Sequence, residues 1–541
     1  MELAAFRILY TLLSALLIVP LWVGPHPPLI DLPQHAGQVS AALAWLAGSS
    51  THRAVFELNP FTPYLGSYLV AGPLVALFGP STGLRLALSL ALLALPLATS
   101  HLLRTVRAPA WWVIPVFAVA PSYAFHWGFL GFVVATPLGI WGLSVHLRYL
   151  DDGSPRRALA SAALALACFV AHALVFAWLA LTAGLVTWLR GGALRGGALR
   201  GAGQEGGAPR RVRLLGTGAL LTPVPLALLW LARTVGGPGR ADGSVVWNLS
   251  WDRLGALPSR LVGGLRGDAP LELLGLLLFA SPFLLGARFQ RGPAGWAALG
   301  ATLALCLLGP DRVMSATYLP WRFAVFLIPT LLLTLRPRSA SWSRHRVAGL
   351  AAVVAVAALS NLSNLRSFRH FAAQSSGFRE VAALIPPGAR VAYLAFGKAT
   401  PQLRGPAFLH FGQWAQAERQ AIVDFSFAEF FPEVVRYRPG QGSGWPPAAE
   451  WYPHLFDYPA RHGNRYQYFL VCSDRPLHEA VYRGAPAPGA LLAQSGYFWL
   501  YSAPPPAALP EGQAPLPPAF SSSGAPRTPE PRETENAPAS R

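Results

Sequence analysis

The chain has 541 residues, 53% of them hydrophobic and only 12% charged, with a mean hydropathy of +0.38. A soluble domain carries about one-quarter charged residues, so water is not the only solvent of this protein. Its net charge of +19 comes from arginines set mainly in short loops between apolar runs, which membrane topology explains and a nucleic-acid partner does not. Cys168 and Cys306 lie inside apolar runs and Cys472 beyond them, which excludes a disulfide framework or a metal-thiolate cluster.

The first apolar run, Ile8 to Val23, is followed by Gly24, Pro25, His26, Pro27 and Pro28 and not by a small-residue cleavage site, so it is expected to stay as a helix. With roughly 20 apolar residues needed per crossing, about 11 transmembrane helices are predicted, centred near Ser14, Ala71, Ala91, Val116, Pro137, Ala171, Thr222, Leu277, Ala301, Ile328 and Val354. Pro73, Pro96, Pro115, Pro137, Pro223, Pro282 and Pro329 fall inside these runs, which bilayer helices tolerate when neighbours satisfy the freed carbonyls. The long first loop, 24–62, contains Val39, Ala42, Leu43 and Leu46 at helical spacing and reads as a short helix on the membrane surface. A second long loop runs from Arg233 to Asp268 with Trp247 and Trp251, as interfacial loops do.

Arginine placement predicts orientation. Arg190, Arg195, Arg200, Arg210, Arg211 and Arg213 make the 190–213 loop cytoplasmic, and its RGGALRGGALRG repeat reads as a flexible basic linker. Alternation then places Arg288, Arg291, Arg336, Arg338, Arg344 and Arg346 on the same side and the C-terminal part outside the cytoplasm. Counting from a cytoplasmic N-terminus, however, puts Arg104, Arg107, Arg148, Arg156 and Arg157 outside. One resolution is that the apolar run Ala158 to Leu189 is two helices broken near His172.

From about residue 366 the pattern becomes that of a water-soluble α/β domain: a helical stretch Phe371 to Leu384, then strand candidates at Arg390 to Phe396, Ala421 to Phe427, Tyr466 to Cys472 and Tyr497 to Ser502. The expected organisation is a multi-pass domain over 1–365, an exported α/β domain over 366–502 and a disordered Pro-rich tail over 503–541. The expected location is the cell inner (plasma) membrane, with the C-terminal domain extracytoplasmic.

The most informative short segment is Asp31-Leu32-Pro33-Gln34-His35, just beyond the first span. A carboxylate there has the chemistry to take a proton from an acceptor hydroxyl while a lipid-phosphate leaves. It equally suits a helix N-cap, since a proline and a helical pattern follow it. Asp311 and Arg312 follow one span and Arg322 opens the next, on the side expected for Asp31, where an arginine fork suits a phosphate. For Arg312 and Arg322 alike the alternative is an interfacial Arg-Asp pair of purely structural worth. His126 and His172 are isolated imidazoles in apolar runs, better read as core residues, and Arg85 as an anchor at a helix end. If the segment is helical, Asp31 and His35 share a face, but two ligands do not make a metal site; no metal ligands are assigned and a divalent ion stays an open alternative. P-loop, nucleophile-elbow, H-E-x-x-H and Cys-x-x-Cys patterns are missing from the sequence.

Taken together, Asp31 after the first span, the amphipathic loop helix, Pro63-Tyr64 opening the second span, and Leu77-Phe78-Gly79 followed by Gly83-Leu84-Arg85 opening the third resemble the GT-C superfamily of integral membrane glycosyltransferases. A many-helix body followed by an exported α/β domain is similar too. The resemblance implies a polyprenyl-phosphate sugar donor in contact with membrane lipids and a catalytic aspartate in the first extracytoplasmic loop, carried onto Asp31 alone. His35 stands where a second acidic residue would be sought; it is expected to orient Asp31 or the acceptor. Arg322, with Arg312, is the candidate for donor phosphate, and Tyr64, His126 and Asp311 are candidates for the surrounding cavity. Two other functions compete. A transporter or lipid flippase requires internal repeats and mid-span charges, whereas the charges here cluster at helix ends; a non-catalytic scaffold for envelope assembly requires nothing of Asp31.

Overall fold

The protein is represented by a computed structural model that describes residues 2–191, 209–235, 243–265, 269–338, 343–446 and 448–505. Most of the basic repeat in the 190–213 loop and nearly all of the 503–541 tail lie outside the described residues. Residues 1–504 form one compact unit in which the helical body and the C-terminal sheet share a core. Among the described residues six helices are long and apolar enough to cross a membrane, including Pro80–Thr105, Leu130–Asp152 and Arg344–Gln374, and four shorter apolar helices accompany them.

Prolines shape two of the predicted spans. Around Val116 the chain forms short turns, Ala110–Val113, Val116–Val119 and Tyr123–Trp127, separated at Pro115 and Pro121. The run near Ile328 is likewise divided into Leu319–Arg322, Phe323–Phe326 and Leu327–Leu332. Both segments are buried inside the bundle, the condition under which irregular backbone is tolerated at membrane depth.

The conflict over arginine sidedness is resolved by two corrections to the predicted spans. The run through Ala171 is two helices, Pro155–Ala171 and Ala173–Gly191, which meet at the extended residue His172. The helix Leu65–Phe78, expected as the second span, has both ends at the same end of the bundle. Tyr64, at its start, faces the cavity described below, and its last residue leads through Gly79 into Pro80–Thr105. There Ser81 donates to the Pro25 carbonyl and Arg85 to the Gly24 carbonyl (3.2 Å), just after the first helix. The opposite ends of four helices then gather the arginines together. Arg148 bonds Thr105 (2.8 Å), Arg157 pairs with Asp152 (2.5 Å) and Arg190 with Asp151 (2.8 Å). The bundle therefore has one arginine-rich end and one end that carries the cavity.

Beyond the body, the Arg344–Gln374 helix continues past residue 366 and packs Phe371 against Phe408, with ring centroids 4.9 Å apart. The following sheet has five strands in the order Leu491–Ser495, Phe498–Ser502, Tyr468–Cys472, Arg390–Ala395, Ile422–Asp424. The last three run parallel and the first two form an antiparallel hairpin. Four of these strands lie within the segments expected from β-branched and aromatic patterning; Leu491–Ser495, closed onto its partner by Gly496, was not anticipated.

The first-loop helix, Leu32–Leu46, is present but does not lie free on a membrane surface. Residues 31–39 are all buried, because the C-terminal domain covers the face that a surface helix would turn to water. Two glutamines one helical turn apart make the joint. Gln34 accepts from Phe427 N (2.9 Å) and donates to Phe425 O (3.2 Å), while Gln38 accepts from Val435 N and donates to Val435 O (both 3.1 Å). Alongside, Phe56–Leu58 pairs antiparallel with Val435–Tyr437. Removing such an amide strands two buried backbone groups, at about 1–3 kcal/mol each. Gln38→Leu is therefore expected to lower the thermal midpoint and expose the C-terminal domain to proteolysis; an unchanged midpoint and cleavage pattern would show the joint to be incidental.

Candidate active site

A cavity of about 270 Å³ opens between the loop helix, the cavity end of the bundle and the C-terminal domain. Of the residues singled out in the sequence, Asp31, His35, Tyr64 and Arg322 line it. His172, read as a core histidine, lines it as well, at the break between its two helices.

Asp31 sits at the N-cap position of the loop helix, yet its side chain makes no capping bond. The backbone fixes the residue instead: Asp31 N donates to Trp127 O (2.8 Å), and Gly128 turns away with φ +86°. A Cβ at Gly128 would fall 2.7 Å from Leu32 N and 2.8 Å from Asp31 N, so a side chain there would push the aspartate out of place. Freed from capping, Asp31 Oδ1 lies 3.0 Å from His410 Nδ1. One helical turn on, His35 Nδ1 lies 3.2 Å from the Tyr68 hydroxyl. Burial, the largest influence, lowers the pKa of His35 to about 4 in spite of the nearby Asp31 carboxylate, so the ring is neutral at physiological pH.

Arg322 faces Asp31 across an aromatic wall. Its Nε and Nη2 donate to Thr317 O (3.2 and 2.7 Å), and its guanidinium lies 3.5 Å from the Phe129 ring centroid. The side chain is buried, and among the described residues no carboxylate reaches it at ion-pair distance. A buried guanidinium whose direct partners are a carbonyl and an aromatic face, with the Asp31 and Glu433 carboxyls acting on it from further off, is incompletely compensated and suits an anion.

The C-terminal domain brings three polar side chains that sequence reading missed: His410, Glu433 and Glu450. Oε2 of each glutamate is screened from solvent without a hydrogen-bond partner. Burial first, and then the charge of Asp31, raises the pKa of Glu433 to about 8; burial also raises that of Glu450. His410 stands 379 positions from Asp31, with Glu433 and Glu450 further along the chain, and no motif or spacing ties them to it.

Three expected site residues lie elsewhere. Arg312 is exposed on the short strand Arg312–Val313 and does not reach the cavity. Its neighbour Asp311 accepts from Arg253 Nη2 (2.6 Å) and Asn248 N (2.7 Å), so Asp311 holds a loop and pairs with Arg253 in place of Arg312. His126 is outside the cavity, 3.1 Å from Arg404 Nη1 and packed edge-on against Phe125 and Phe368. No group of three or more His, Cys, Asp or Glu side chains is placed to hold a metal ion among the described residues.

Comparison with known proteins bears on the fold. No protein-family model matches the sequence, and neither does any of the curated proteins. Among solved structures, the chain is similar to ArnT from Cupriavidus metallidurans bound to undecaprenyl phosphate, with a TM-score of 0.52 and 14% identity over 94% of this chain and 99% of that one. It is similar also to the apo state of the same protein, with a TM-score of 0.52 and 13% identity over 94% and 100% of the two chains. The chain is a multi-pass membrane protein that shares the fold of ArnT, with a C-terminal domain built on a five-stranded sheet.

The Glu433 carboxyl gives the site a measurable pH signature. Its folded pKa of about 8 stands above the ordinary 4.5, so the folded protein holds this proton more tightly than the unfolded chain does. The stabilisation is full below about pH 4.5 and is lost as pH rises through about 8. Thermal midpoints are therefore expected to fall between pH 5 and 9 more steeply in the native protein than in Glu433→Gln; parallel curves would mean that Glu433 ionises as an exposed carboxyl does.

Proposed function

We propose that this protein is a glycosyltransferase that moves a sugar from a polyprenyl-phosphate donor to a hydroxyl-bearing acceptor. The observation that carries the reading is the placement of Asp31 and the incompletely compensated, buried Arg322 on one cavity. The GT-C fold supports it, as does the undecaprenyl phosphate bound by ArnT. In the proposed reaction the acceptor's O–H proton passes to Asp31, and the acceptor oxygen forms the new bond to the anomeric carbon. The bond from that carbon to the phosphate oxygen breaks with its electron pair, and Arg322 holds the departing phosphate. His35, neutral and tied to Tyr68, lends the site a polar group without a competing charge.

The test is turnover of a panel of undecaprenyl-phosphate hexoses and pentoses in proteoliposomes, read as release of undecaprenyl phosphate. Asp31→Asn keeps the shape but cannot take up the proton, and is expected to lose about 10²- to 10⁴-fold in rate. Arg322→Lys keeps the charge but loses the two-point grip, and is expected to bind undecaprenyl phosphate about tenfold more weakly, or ~1.4 kcal/mol. Both variants should keep the native thermal midpoint. Full activity in Asp31→Asn removes its assignment as the base, and movement of lipid without sugar transfer would favour a flippase.

The reading also assigns the arginine-rich end to the cytoplasm and the cavity, with the C-terminal domain, to the outer face of the inner membrane. All three cysteines are buried, so introduced thiols can be read against a quiet background. In intact cells a membrane-impermeant maleimide is expected to label a cysteine at exposed Asp474 and to leave one at exposed Arg156 unreacted. The reverse pattern inverts the assignment.

A further inference from the structure

His410 is the one C-terminal side chain that bonds directly to Asp31. Both are buried, and the turn that carries His410 is pinned from outside the site: the Tyr393 hydroxyl donates to Phe408 O (2.5 Å) and Gln413 N to His410 O (3.0 Å). Phe427 meets the imidazole edge-on, with centroids 5.4 Å apart, and Phe425 lies roughly parallel to it at 6.2 Å. An ionised carboxylate can only accept, so Nδ1 carries the hydrogen and donates it to Oδ1. The other ring nitrogen, Nε2, is buried without a partner.

That geometry is poorly explained by docking alone. Gln34, Gln38 and the Phe56–Leu58 strand already join the two domains with satisfied hydrogen bonds. An apolar residue would fill the aromatic niche without leaving a nitrogen unsatisfied. What only a donor at the Nδ1 position supplies is a fixed carboxylate, with Oδ1 occupied and Oδ2 left for the acceptor hydroxyl. We propose that His410 is the positioning residue of the Asp31 base, so that a side chain of the C-terminal domain completes the reaction centre. The inference rests on the reading of Asp31 as the base. The other groups whose charge acts with Asp31 are His35 on its own helix, Arg322, Tyr123 and Tyr318 from the body, and Glu433 and Glu450 from the C-terminal domain.

The experiment uses the full-length protein in proteoliposomes with whichever undecaprenyl-phosphate sugar of the panel turns over. His410→Leu is expected to lower kcat about 10²-fold, as loss of orientation does, with little change in KM for the donor. The acid limb of its pH–rate profile should move to higher pH, because a donated hydrogen bond favours the ionised carboxylate. His410→Asn, whose amide N–H falls near the Nδ1 position, should restore both features. His410→Gln, whose N–H falls near Nε2, should restore neither. This Asn–Gln contrast decides the matter even if the leucine variant fails to fold, since a docking role predicts no difference between the two amides. Equal activity of Asn and Gln variants, or an unmoved acid limb in a folded leucine variant, overturns the inference. Asp31→Asn assayed alongside separates the two failures. If it is inactive while His410→Leu is native-like, only the role of His410 falls; if it is active, or if the native protein turns over no donor, the underlying reading falls and the inference with it.

Discussion

The docking of the first-loop helix beneath the C-terminal sheet is the contact on which the rest depends. It is made by a pattern usual inside a sheet and unusual between a helix and a sheet. Gln34 and Gln38, one turn apart on the helix, each offer an amide donor and acceptor to the backbone of the C-terminal domain, as a neighbouring strand would. Asp31 and His35 have the same spacing on an adjacent face and point into the cavity. One short helix thus carries two registers of i, i+4 residues, one that binds a domain and one that furnishes a site. The buried His26–Glu418 contact (2.8 Å), which Arg379 joins from the same domain, secures the entry to this helix in a similar way.

Charge is distributed around the cavity with a consistent logic. Burial keeps His35 neutral and raises Glu433, while Arg322 keeps its positive charge without a close carboxylate. With His35 and Glu433 held towards neutrality beside a buried guanidinium, the pocket suits an anion, and the aromatic wall of Phe129 and its neighbours keeps water from screening that charge.

The sequence was most legible where polarity contrasts with its surroundings. Asp31, His35, Tyr64 and Arg322 stand at the ends of apolar runs, and the structure brings all four to one cavity. Adjacency in sequence misled at Asp311 and Arg312, because neighbours on an extended segment point to opposite sides; Asp311 turns inward to Arg253 and Arg312 to the surface. Hydropathy could not tell a short helix with both ends on one side, Leu65–Phe78, from a true crossing, whereas the conflict over arginine sidedness did point to the break at His172. His410, Glu433 and Glu450 left no trace that a single sequence could reveal, since their meaning arises only from the pairing of Phe56–Leu58 with Val435–Tyr437.

That pairing also sets a timetable. Asp31 is synthesised well before His410, which follows 379 positions later. Until the strand Val435–Tyr437 has been made and has found Phe56–Leu58, the wall opposite Asp31 does not exist. A ribosome that stalls within the helical body therefore leaves behind a bundle with an unfinished cavity, and the chain acquires its complete site only after the C-terminal domain has been made.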